Sequence, residues 1–135
     1  MTPVFADTAF LVALINPYDQ LRQQAHDALK IIGKNELITT DAVLTEVLNF
    51  YAERGSYLRQ QAISFITTFM KSSDVNLIYQ TKYLFHLAFE RYEDRQDKGY
   101  SLTDCMSMVV MENQGLQLVA TSDKHFKQAG FTILM

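Results

Sequence analysis

PVFADTAFLV, residues 3–12, is the stretch on which the fold turns. A short apolar run ends at Asp7, and Thr8 opens a second apolar run that continues to Ile15. A buried strand therefore hands over to a buried helix with a carboxylate at the joint. Burying a carboxylate there is costly unless something binds it.

Working outward, Asn16 and Pro17 stop the helix over 8–15. Residues 19–32 carry Leu21, Ala25, Ala28, Leu29 and Ile32 on one stripe and end at Gly33, which predicts an amphipathic helix. ELITT, residues 36–40, is a second strand. Two helices over 42–55 and 57–73 follow, parted at Gly55 and Ser56. VNLIY at 75–79 is a third strand and 81–95 a further helix. After the polar loop 96–100 come a helix over 101–115, a strand over 117–122, a short helix over 123–130 and a last strand over 131–135. Alternating strands and helices predict an α/β fold, with a central parallel sheet of four to five strands covered by helices on both faces.

With 135 residues, 48% of them hydrophobic, the chain suits one domain over 1–135. No linker, low-complexity segment or internal repeat interrupts it. Twelve Lys and Arg against 15 Asp and Glu give a formal charge of −3, so electrostatics alone do not mark a nucleic-acid binder. A divalent cation on clustered acids changes that balance locally. Cys105 is the single cysteine, which excludes an internal disulfide and a multi-cysteine zinc site. The start MTPVFAD lacks the segments of a signal peptide, and no apolar run reaches about 18 residues. The expectation is a cytoplasmic protein with no membrane association.

Ligands of open parallel α/β sheets gather outside the carboxyl ends of the strands. Asp7 follows the first strand and Asp123 the fourth, so both fall on that edge. Glu46 sits in the helix after the second strand, beside Val43 and Phe50, at the border of a stripe made by Val43, Leu44, Val47, Phe50 and Tyr51. Asp104 opens a helix whose next turns, CMSMVVM, are apolar almost all round. Such a carboxylate points at protein or at a ligand.

Each acid also has a structural role open to it. Asp7 and Asp123 suit helix N-caps, as does Asp41. Ser101 and Asp104 fit a capping box, and Glu46 a solvated helix edge. Four acids on one edge nevertheless repel one another unless a cation joins them. An oxygen-rich, sulfur-free set suits Mg²⁺ or Mn²⁺. His26, His86 and His125 are scattered, and none stands at metal-ligand spacing with a carboxylate. No Gly-rich phosphate loop follows the first strand, and no Ser-His-Asp or Cys-His motif appears. Cys105 and the Met and aromatic stripes read as core.

The order Asp7 in VFADT, Glu46 in TEVLN, Asp104 in SLTDC and Asp123 in TSDKHF resembles the PIN-domain ribonucleases, and among them the VapC-type toxins of bacterial and archaeal toxin–antitoxin pairs. The resemblance runs the length of the chain. Its most specific part is YSLTDC followed by TSDKHF; Tyr100 stands where the family frequently has Trp. The resemblance implies that Asp7, Glu46, Asp104 and Asp123 form a catalytic, metal-binding pocket flanked by the hydroxyls of Thr8 and Ser122. It also implies an RNA substrate, a homodimer and a cognate antitoxin protein laid over the pocket. One or two Mg²⁺ ions, with Mn²⁺ as the alternative, would activate water against an RNA phosphodiester. Lys98, Lys124 and Lys127 lie near that edge, where they suit phosphates or plain solvation.

Three other readings stand beside this one. A haloacid-dehalogenase-type phosphotransferase needs an acid two residues after Asp7, and Ala9 occupies that position. A catalytically silent partner-binding domain sits poorly with four retained acids. An RNA-processing nuclease with no toxin role shares all the chemistry and stays open.

Overall fold

β1, Val4–Ala6, is buried along its whole length in the computed structural model, which describes residues 2–135. It occupies the middle of a five-stranded parallel sheet of order β3-β2-β1-β4-β5. The other strands are β2, Leu37–Thr40, β3, Val75–Ile78, β4, Leu118–Ala120, and β5, Thr132–Ile133. Successive strands step away from β1 on one side, and the chain then returns to pair β4 on the other. The strand order thus reverses at β1, which places the sheet's ligand crevice beside its carboxyl end.

Seven helices flank the sheet among the described residues: α1 (Thr8–Ile15), α2 (Arg22–Ile32), α3 (Asp41–Phe50), α4 (Ser56–Lys71), α5 (Lys82–Asp94), α6 (Leu102–Gln114) and α7 (Lys124–Gln128). α1 has no polar stripe because Phe10, Leu11, Val12, Ala13 and Ile15 are all buried. α6 is enclosed from Asp104 through Met111, so its sequence is apolar on every side. Gly115 ends it with φ 67°, a left-handed conformation that a side chain disfavours. Largest among the fully buried side chains are Tyr51, Phe5, Phe10, Phe126 and Leu11, which fill the space between sheet and helices.

Two long-range hydrogen bonds, one between helices and one between strands, fix the framework near the crevice. Buried Tyr51 donates its hydroxyl to the Val12 carbonyl at 2.7 Å, holding the end of α3 to α1. Thr39 Oγ1 donates to the Ala6 carbonyl at 2.7 Å, at the last residue of β1.

Several expected bounds shift. α3 stops at Phe50 rather than at 55, and α2 starts at Arg22 because Asp19 Oδ1 first closes a turn by accepting from Leu21 N–H at 2.8 Å. Thr40, not Asp41, is the N-cap of α3; its side chain accepts from Val43 N–H. Asp41 Oδ1 instead accepts from Gln80 N–H at 2.8 Å and ties α3 to the end of β3. Phe50, expected on the buried stripe, is 39% exposed.

Candidate active site

Asp7 follows β1, and its backbone N–H donates to the Ala120 carbonyl of β4 at 3.2 Å. Its side chain makes no cap bond to α1, although it occupies the N-cap position. It is instead buried, and Oδ2 accepts from Thr121 Oγ1 at 2.8 Å. The same Thr121 oxygen accepts from Asp123 N–H at 3.0 Å. One buried hydroxyl thus joins the ends of β1 and β4 and fixes two of the acids together.

Asp123 caps α7, with Oδ1 accepting from His125 N–H at 2.9 Å. Asp104 forms the capping box with Ser101: the Ser101 hydroxyl accepts from Asp104 N–H, and Asp104 Oδ2 accepts from Ser101 N–H at 3.1 Å. The structural and the functional readings of these two acids therefore hold at once. Capping consumes one oxygen of each carboxylate and leaves the other uncommitted.

Asp7, Glu46, Asp104 and Asp123 all line one cleft of about 350 Å³. Thr8, Asp19 and Phe50 share its wall, and Glu46 reaches it half-buried from α3. A larger groove, about 770 Å³, runs past Phe89, Tyr92 and Tyr100 but contains none of these four acids. Size does not locate the chemistry here.

Burial pushes the Asp7 carboxyl up from 3.8 to about 7, against the Thr121 hydroxyl and the Thr8 amide, which favour its charged form. The Asp104 and Asp123 charges push it in the same direction as burial. Asp104 is also raised, chiefly by burial; the Ser101 amide and His125 oppose that shift and the Asp123 charge adds to it. The cleft is thus a place where negative charge is expensive without a counter-cation. Thr8 Oγ1 adds a second sign of the same kind: it is buried and has no hydrogen-bond partner. An unpartnered buried hydroxyl costs about 1–3 kcal/mol, which an oxygen-bearing guest would recover. Five carboxylates, with Asp19 beside the four expected acids, a waiting hydroxyl and no thiolate on the wall fit a hard, oxygen-preferring divalent cation.

Two participants escaped sequence reasoning. Thr121, rather than its neighbour Ser122, supplies the hydroxyl to Asp7; Ser122 is half-buried and does not line the cleft. His125, expected not to stand at metal-ligand spacing with a carboxylate, has Nδ1 3.1 Å from Asp104 Oδ2 and 3.3 Å from Asp123 Oδ1. Those three side chains form a cluster whose ligand atoms all lie within 4.8 Å of one another. The one available signal was local: a His two residues after a helix-capping Asp shares the first turn with it.

The PIN domain family model matches residues 4–132. Among solved structures, VapC20 of Mycobacterium tuberculosis, a toxin that cleaves the sarcin-ricin loop, is 26% identical and superposes with a TM-score of 0.85, covering 96% of this chain and 96% of its own. The Pyrobaculum aerophilum protein PAE2754 is 18% identical with a TM-score of 0.58, covering 98% of this chain and 90% of its own, and shares the fold. No curated protein matches this sequence.

Proposed function

The chain belongs to the PIN domain family, and from that membership we infer that it is a divalent-metal-dependent endoribonuclease, the toxin of a type II toxin–antitoxin pair. The observation that carries this reading is the convergence of Asp7, Glu46, Asp104 and Asp123 on one cleft, from four separate elements of the chain. The likeness to VapC20, a toxin by its own description, supports the toxin role.

Asp7, Glu46, Asp104 and Asp123 hold the metal in this reading, Mg²⁺ or Mn²⁺, and are the catalytic acids. When bound, the metal supplies Lewis-acid polarisation of a phosphodiester and a more acidic water. The chain's own contribution is placement. Thr121 fixes Asp7, the capping bonds fix Asp104 and Asp123, and Glu46 stands across the cleft on α3 to receive a proton or complete the ion's shell. Thr8 offers its unpartnered hydroxyl to a water or phosphate oxygen in the cleft. Ser122 flanks Asp123 and serves the same edge from outside the wall. Lys124 and Lys127, exposed on α7, lie on the side from which RNA phosphates approach.

A cognate antitoxin is the protein partner, and an Arg or Lys entering the cleft pairs with the carboxylates in place of the metal. The chain acts as a homodimer in the cytoplasm. Phe89 and Tyr92 present exposed aromatic surface on one side of α5 that suits a second copy. No helix among the described residues is long and apolar enough to cross a membrane.

The test is twofold. Purified protein is incubated with a sarcin-ricin-loop hairpin and with unstructured RNA, and the chain is expressed alone and beside its neighbouring gene. Cleavage together with growth arrest relieved by the neighbour supports the whole reading. Cleavage without arrest at high expression removes the toxin role and leaves an RNA-processing nuclease.

A further inference from the structure

His125 is the group nearest the acids that the proposed reaction leaves without a task. Its Nδ1 faces two carboxylates, Asp104 Oδ2 at 3.1 Å and Asp123 Oδ1 at 3.3 Å. Those are the same oxygens already used for capping: Asp104 Oδ2 by Ser101 N–H and Asp123 Oδ1 by His125's own backbone N–H. The imidazole therefore gathers the committed oxygens and leaves Asp104 Oδ1 and Asp123 Oδ2 for the cleft. His125 itself does not line that cleft, whereas both carboxylates do.

The ring is held from behind. Buried Tyr100 packs against it edge-on, with centroids 5.4 Å apart and planes at 72°. Gly99, at φ +71°, turns the loop beside Nε2, where a Cβ would come to 3.8 Å. A glycine is favoured there by the backbone. The Tyr100 ring and the hydrogen bond to Asp104 orient the imidazole with Nδ1 toward the two acids.

The geometry points to His125 as a positioning residue that holds Asp104 by a hydrogen bond from Nδ1–H and stands against Asp123 Oδ1, so that the free oxygens of both face a divalent cation together. Residues that orient metal ligands by hydrogen bonds to them tune affinity without touching the ion. The inference rests on the metal-binding reading above and specifies how two of its ligands are held. Its partners come from different elements, α6 and α7, so His125 also clasps the start of one helix to the start of the other.

Mn²⁺ alone is the probe, titrated calorimetrically into the metal-free full chain, with melting curves to verify folding. His125→Asn places an amide N–H near the Nδ1 position, whereas His125→Gln places it near Nε2. Asn at 125 should keep affinity within a few-fold of wild type, and Gln or Ala should weaken it about 10- to 100-fold. Pulsed electron paramagnetic resonance of the Mn²⁺-loaded wild type should show no directly coordinated nitrogen. Equal affinity in the wild type and all three variants overturns the inference, and so does a directly bound imidazole nitrogen. If His125→Ala does not fold, the contrast between Asn and Gln still decides. If the wild type itself binds no Mn²⁺, the metal-binding reading fails and this inference falls with it; binding by the wild type with no contrast among variants sinks this inference alone.

Discussion

Thr121 Oγ1 donates to Asp7 Oδ2 at 2.8 Å across 114 positions of sequence, at the junction of the two central strands. That bond is buried, and it favours the charged form of a carboxyl that burial otherwise pushes towards neutrality. Thr121→Val keeps the shape and removes the donor. Stability at pH 8 should fall by about 1–2 kcal/mol, with Thr121→Ser recovering most of it. Urea denaturation measures both, and an unchanged midpoint for Thr121→Val would show that Asp7 does not depend on this hydroxyl.

Asp7 also makes the metal-free fold sensitive to pH. Its folded-state value of about 7 lies above the ordinary 3.8, so between those values the folded protein holds a proton that the unfolded chain has released. Stability from this group is therefore greatest at the acid end and declines as pH rises towards 7. Asp104, also raised, contributes in the same direction. In EDTA, the drop in melting temperature from pH 5 to pH 8 should be smaller in Asp7→Asn than in wild type. Mg²⁺ or Mn²⁺ should raise the wild-type melting temperature more at pH 8 than at pH 5. Parallel slopes in the two proteins would contradict the burial of Asp7.

Asp104→Asn separates capping from chemistry. Asparagine keeps an amide oxygen for the Ser101 N–H, and the substitution relieves a buried like-charge cluster. Without metal at pH 8, the variant should melt no lower than wild type, yet cleave RNA at least about 100-fold more slowly. A lower melting temperature with activity retained would leave Asp104 as a cap alone.

Tyr51→Phe probes the scaffold instead. The hydroxyl is buried against the Val12 carbonyl, and its loss should cost about 1 kcal/mol in urea denaturation, with no change in Mn²⁺ affinity beyond a few-fold. A large loss of affinity would mean that the α1–α3 contact shapes the cleft more than the acids' own bonds do.

What the sequence disclosed was what depends on local pattern. α1 matches its expected bounds at Thr8 and Ile15 because apolar residues, a following Asn-Pro and a strand before it all act within a few positions. The enclosed helix after Asp104 was legible from its lack of any polar side. Topology placed Asp7 and Asp123 on one edge, since each follows a strand, and Glu46 and Asp104 stood out by the apolar faces of their helices. The remainder depended on neighbours remote in the chain. Periodicity puts Phe50 and Tyr51 on one stripe; only the Val12 carbonyl on α1 draws Tyr51 inward and leaves Phe50 at the cleft wall. Thr40 and Asp41 both suit a cap, and the Gln80 amide, 39 positions away, claims Asp41. His125 meets Asp104 across 21 positions, which no local spacing reveals.

The central claim is that the cleft holding Asp7, Glu46, Asp104 and Asp123 is a metal-dependent ribonuclease centre. One measurement tests it most directly: cleavage of a single labelled RNA by the purified chain, stripped with EDTA and then resupplied with Mg²⁺ or Mn²⁺. The account predicts no cleavage in EDTA, full recovery with either ion, and none at any ion concentration in Asp7→Asn. Cleavage that continues unchanged in EDTA, or that survives in Asp7→Asn, would contradict it.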